Sequence, residues 1–157
     1  MTKAVVELTN VWKIFGDKAD AAMKAVLERG LSKSDVLSEF EAVVGVKDAT
    51  FSVNEGEIFC LMGLSGSGKS TLVRHVNRLI EPTSGSIKIG GVDVGSLNDE
   101  DLRALRAETI GMVFQNMALL PHRTVRDNVA FALELRGMDT FRRRQLADRA
   151  IATVSLD

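Results

Sequence analysis

The sequence holds a single cysteine, Cys60, so no disulfide can form within the chain. Its place in an apolar run predicts a small buried hydrophobe and not a reactive thiol. Charge of one sign is also missing. With 20 basic and 21 acidic residues well mixed and a formal charge of −1, there is no electrostatic footprint for nucleic acid. Arg142-Arg143-Arg144 is the one tight basic run, and on a helix it reads as a solvated face. No apolar run approaches the roughly 18 residues needed to cross a membrane, and Met1 to Leu8 lacks a charged segment followed by an apolar signal core. The expectation is a cytoplasmic chain that meets a membrane only through a partner. Neither an internal repeat nor a low-complexity segment is present.

What remains is the composition of a globular domain: 157 residues, 45% of them hydrophobic, enough for a substantial core. Val5 to Leu8 and Asp48 to Val53 have strand character, the second alternating Ala49, Phe51 and Val53 with Thr50 and Ser52. Between them lies a helical interlude. Ala19 to Arg29 shows helical spacing with Gly30 as its stop signal, and Ser32 with Asp35 forms a capping-box pattern before Val36, Leu37 and Phe40. The pair has a helix-turn-helix outline, yet Glu28, Asp35, Glu39 and Glu41 would repel a phosphate backbone. Further on, Glu57 to Met62 and Ile110 to Phe114 are apolar runs suited to buried strands, and Ser86 to Ile89 leads as a strand into Gly90-Gly91. Asn98 with Asp101, and Thr124 with Asp127, are set to cap helices, and a last helix is predicted from about Thr140 towards Val154.

The most informative stretch is Gly63-Leu64-Ser65-Gly66-Ser67-Gly68-Lys69-Ser70-Thr71, a complete phosphate-binding loop of the form G-x-x-x-x-G-K-S. It follows a strand-like run and precedes helical spacing from Ser70 to Ile80, the context the motif requires. Glycines 63, 66 and 68 let successive backbone N–H groups approach an anion with no side chain in the way. The helix start adds unpaired N–H groups and the positive end of its dipole. Lys69 supplies a mobile positive charge for the β- and γ-phosphates, and the Ser70 hydroxyl is the expected magnesium ligand. ATP with Mg2+ is the expected cofactor pair. The loop by itself leaves kinases, GTPases and transport ATPases open, although no N-K-x-D guanine-reading motif occurs.

The surrounding residues narrow the choice. Asn10 to Gly16 (N-V-W-K-I-F-G), Val46 to Phe51, the loop, Leu79 to Gly85 (L-I-E-P-T-S-G) and Met112 to Val129 resemble, in order, the first half of an ABC transporter ATPase subunit. The helical insert, at about residues 17–44 and containing Gly30-Leu31-Ser32-Lys33, is similar to the ProV-like branch that serves glycine betaine, proline or choline import. The resemblance implies an α/β fold of the P-loop NTPase, ABC ATPase type, with an antiparallel β subdomain, the helical insert and an incomplete domain over 1–157. It implies that Phe15 packs against the adenine ring, with Trp12 as a structural aromatic. It implies that Gln115 is the glutamine reaching magnesium or its water, a catalytic position alongside Lys69. Asn116 to Arg123, with exposed Met117, Leu119 and Leu120, becomes the contact surface for a membrane permease. His122 is not a metal-ligand candidate, because neither another His nor Cys lies nearby, and His75 belongs to the helix after the loop. A second ATPase subunit in a homodimer and, indirectly, an extracytoplasmic solute-binding protein complete the implied assembly, on the cytoplasmic side of the cell membrane.

The family's LSGGQ-like signature, its Walker B strand, the adjacent catalytic glutamate and the switch histidine are not found in these residues. Without them no general base orients the attacking water, and turnover by these residues alone is not expected. An unpaired apolar edge is expected where the Walker B strand would lie. A non-hydrolysing nucleotide binder and an ABC ATPase of DNA repair remain as alternatives, the second disfavoured by the neutral charge.

Overall fold

A computed structural model describes residues 3–114 and 119–155, in two compact units, 1–111 and 112–157. The first is built on β1 (Ala4–Phe15), α1 (Ala19–Arg29), α2 (Lys33–Phe40), β2 (Val43–Asn54), α3 (Lys69–Val76), β3 (Ser84–Ile89), β4 (Val92–Asp93) and α4 (Asp99–Thr109). The strands form one antiparallel sheet in the order β2-β1-β3-β4. This is the antiparallel subdomain that the sequence led us to expect.

Two apolar clusters fix its geometry. Trp12, Ile14 and Val44, from β1 and β2, pack with Ala22, Met23 and Val26 of α1 and Val36 of α2, so the insert is bonded to the sheet through its own core. Leu8, Val11, Val46, Ile87 and Ile89 pack with Leu72 of α3, which anchors the helix that follows the phosphate loop. A buried leucine of this kind contributes about 1.5–3 kcal/mol. The insert's local signals act as read: Gly30 ends α1 in the left-handed conformation at φ 67°, and Ser32 and Asp35 exchange both capping-box hydrogen bonds. Arg29 then donates two hydrogen bonds to Glu39, at 2.8 and 2.9 Å, tying α1 to α2.

Three expectations are corrected. Residues 57–62 and 110–114, predicted as buried strands, pair with no strand among the described residues. An apolar run becomes a strand only when a neighbour satisfies its N–H and C=O groups. Ile58 is accordingly 92% exposed and Met62 87%. Phe59 docks, its ring stacked on Phe51 at 4.8 Å between centroids. Cys60, expected to be buried within that strand, is exposed for the same reason. The helix predicted to reach Ile80 stops at Val76. There Arg78 adopts φ 52°, and the Arg106 guanidinium donates to the carbonyl oxygens of Asn77 (2.8 Å) and Arg78 (2.7 Å), satisfying groups that a further turn would have used.

The second unit is a pair of packed helices, α5 (Val125–Leu135) and α6 (Thr140–Thr153), in which Ala130 and Ala147 are buried. Thr124 and Asp139 cap them through hydrogen bonds from Asp127 N and Arg142 N. Before α5, the Asn128 side chain receives the Leu120 N–H (2.8 Å) and donates to the Leu120, Arg123 and Thr124 carbonyls, which fixes the turn over 120–124.

Candidate functional site

The phosphate loop leaves residues 57–62 and turns into α3 with Gly68 as N-cap, in the left-handed conformation at φ 91°. Gly68 cannot be otherwise, because a β-carbon on it would lie 2.1 Å from the Gly45 carbonyl oxygen of β2. The loop is thus pressed on the sheet at one point. Lys69 Nζ donates to the carbonyl oxygens of Gly63 (2.7 Å) and Leu64 (2.7 Å) and to Ser67 Oγ (3.3 Å). These acceptors, all within the loop, hold the ammonium against the loop's own backbone. Ser70 is exposed in the first turn of that helix, where its hydroxyl can meet a ligand seated on the loop.

On the other side of Gly45 lies Phe15. A β-carbon at position 45 would come within 2.6 Å of the Phe15 ring, so Gly45 is the gap into which the ring fits. Phe15 is 39% exposed, with Lys13 Nζ 5.2 Å from its centroid, whereas Trp12 is buried in the insert's core. Phe15 therefore offers surface to a ligand and Trp12 does not. One glycine lies against both the phosphate loop and the partly exposed Phe15 ring, and neither its position nor its role was marked by any local sequence signal.

A cleft of about 310 Å3 opens beside the loop, bounded by Gly45, Val46 and Lys47 of β2, by Gly63, Ser67 and Lys69, and by Lys33 of α2. Lys33 and Lys47 were not singled out from the sequence. Gln115, and Asn116, Met117 and Ala118 of the expected permease surface, lie outside the described residues. The rest of that surface is described: Leu119 is exposed, and with Pro121, Val125 and Val129 it lines an apolar cavity of about 270 Å3. His122 is exposed on the turn before α5. Among the described residues no group of three His, Cys, Asp or Glu side chains is placed to hold a metal, and no helix is long and apolar enough to cross a membrane.

Among the described residues His75 is the buried ionisable group, on the helix that follows the loop. It is fully buried in the last turn of α3, with Nδ1 2.6 Å from the Ile80 carbonyl oxygen. A carbonyl only accepts, which places the proton on Nδ1 and leaves Nε2 an acceptor without a partner. Burial lowers its pKa from the ordinary 6.5, aided by the Lys13 charge and opposed by the Ile80 hydrogen bond and Glu81.

The family model described as "ABC transporter" matches residues 46–157, well over half of the sequence. The chain belongs to the ABC transporter family. Among its relatives is the glycine betaine/proline betaine transport system ATP-binding protein ProV of Escherichia coli (strain K12). It is 50% identical over 152 residues, which cover 97% of this chain and 38% of the relative. The glycine betaine/carnitine transport ATP-binding protein GbuA of Listeria monocytogenes is 51% identical over 156 residues, 99% of this chain and 38% of the relative. This ABC chain therefore spans well under half the length of the relatives it matches. Among solved structures, the ATP-binding cassette MJ0796, as a dimer in a post-hydrolysis state bound to ADP and Pi, superposes with a TM-score of 0.75. The identity is 28%, and the match covers 97% of this chain and 58% of that one. The fold is that of part of an ABC ATPase cassette.

Proposed function

We propose that these residues bind ATP with Mg2+ and form the nucleotide-holding part of a subunit that powers import of glycine betaine or a related osmolyte. The observation that carries the reading is the Lys69 ammonium, held by three oxygens over a loop whose glycine contacts place it beside the exposed Phe15 ring. In this proposal the backbone N–H groups of 64–70 cradle the phosphates and Gly63, Gly66 and Gly68 give them room. Lys69 neutralises the β- and γ-phosphates, and Phe15 stacks on the adenine. Ser70 would hold the metal jointly with phosphate oxygens and water, since no carboxylate cage accompanies it among the described residues. Gln115 would complete that coordination and serve with Lys69 in catalysis. Among the described residues the cleft wall carries no aspartate or glutamate to orient an attacking water, which supports binding as the activity of these residues.

The transport part of the proposal rests on the relatives, whose names specify betaine transport and whose matched stretch includes the helical insert. Asn116 to Arg123 would dock a membrane permease, with the apolar cavity at Leu119 and Pro121 receiving one of its side chains. A second copy would close over the nucleotide in the longer protein, at the cytoplasmic face of the membrane. A solute-binding protein would act through the permease, and no nucleic acid is involved. The test is magnesium-dependent binding of a fluorescent ATP analogue to the 157-residue chain. Binding abolished by Lys69→Ala is the expected result. Binding that survives that substitution overturns the proposal.

A further inference from the structure

The cleft beside the phosphate loop has an unusual charge. Lys33, Lys47 and Lys69 line it, and among the described residues its wall holds no aspartate or glutamate. In a chain with 21 acidic and 20 basic residues, such a wall is a local departure from an even mixture. The charges are not neutralised nearby either, since none of these lysines forms an ion pair among the described residues. Lys33 and Lys47 are exposed and Lys69 is half-buried, so a polyanion in the cleft would meet three cations.

The three come from different elements. Lys69 belongs to the loop and Lys47 to β2, its Nζ standing 5.9 Å from the Trp12 ring centroid. Lys33 is the first residue of α2, in the helical insert. The insert holds it firmly: the capping box fixes the start of α2, the Arg29 and Glu39 hydrogen bonds tie α2 to α1, and both helices share a core with β1 and β2. Among the described residues Asp35, two residues on, forms no ion pair with Lys33; its Oδ2 accepts from the Ser32 N–H (2.9 Å) and hydroxyl (2.6 Å). The match to the family at large begins at residue 46, so Lys33 lies outside it.

We propose that Lys33 is a nucleotide-binding residue, through which the helical insert supplies a cation to the polyphosphate of ATP. The inference rests on reading the cleft as the nucleotide site. It makes the insert one wall of that site. The polyphosphate would meet a second cation besides Lys69. Adenosine, which has no phosphate, gains nothing from it.

The test titrates the 157-residue chain with a fluorescent ATP analogue and magnesium, and labels its amines with and without ATP. Lys33→Glu is expected to weaken ATP binding about tenfold and Lys33→Arg to keep it close to the unmodified value. Lys24→Glu is the control, since Lys24 lies on the exposed face of α1 beside Glu28 and changes the net charge equally. It is expected to bind normally. ATP, and not adenosine, is expected to slow labelling of Lys33. Undiminished ATP affinity in Lys33→Glu, with Lys69→Ala still inactive, overturns the insert's role and leaves the phosphate loop intact. Weakened binding without protection of Lys33 from the label also overturns it, since the charge would then act from outside the site. Full binding by Lys69→Ala removes the nucleotide reading itself and the inference with it.

Discussion

Gly68 stands against the Gly45 carbonyl oxygen so closely that a β-carbon on it would lie 2.1 Å away, while its own φ is 91°. Both facts oppose any side chain. Gly68→Ala must move the loop off β2 or strain the backbone, and a cost above about 2 kcal/mol is expected. The check is a urea midpoint together with ATP-analogue binding. We expect a lowered midpoint and lost binding; a variant that keeps both would show that the contact does not hold the loop.

That contact marks the division between what the sequence made legible and what it did not. Signals carried by a few neighbouring residues acted as read: Gly30 as a helix stop, the Ser32 and Asp35 capping box, and Thr124 as the N-cap of α5. The phosphate loop was legible for the same reason, being one continuous motif. Residues 57–62 were misjudged because apolarity marks a run that could pair, whereas pairing depends on a distant strand. Gly45 was missed because its importance lies in what approaches it across the fold, from positions 15 and 68, and Lys33 because only the fold brings it to the same cleft as the loop.

Phe15→Ala separates stacking from folding. The ring is partly exposed, fitted over Gly45 and outside the two apolar clusters of buried residues. Stability should fall little, while loss of base stacking weakens ATP-analogue binding by about 1–3 kcal/mol. Phe15→Trp should retain most of the affinity. Equal binding by Phe15→Ala and the unmodified chain in the same titration would place the adenine elsewhere.

Cys60 reports on the unpaired run. Because 57–62 has no strand partner among the described residues and Cys60 is exposed, a disulfide reagent should modify it without denaturant at nearly the rate seen in urea. Protection by a large factor would mean that the segment is covered in solution, and added unlabelled chain at rising concentration would show whether a second copy covers it. Ile58→Lys should then reduce that protection, because Ile58 is the most exposed apolar side chain of the run.

Acid should loosen the phosphate-loop helix through His75. Its folded pKa lies below the ordinary 6.5 because burial disfavours the imidazolium, so folding favours the neutral ring. The sign follows: this contribution is complete above pH 6.5 and is lost as the pH falls below that value and through the lowered folded one. The exposed carboxylates with lowered pKa act in a more acidic window. Asp35 and Asp127, held down chiefly by Ser32 and Thr124, lose their contribution below their ordinary 3.8, and Glu134, held down by Arg123, below 4.5. A decline in stability between about pH 7 and about pH 5 is therefore assigned to His75. His75→Leu keeps the site apolar and removes the titration, at the cost of the Ile80 hydrogen bond. We expect urea midpoints of this variant to be flat across that interval, while those of the unmodified chain fall. Parallel slopes would remove His75 as the origin.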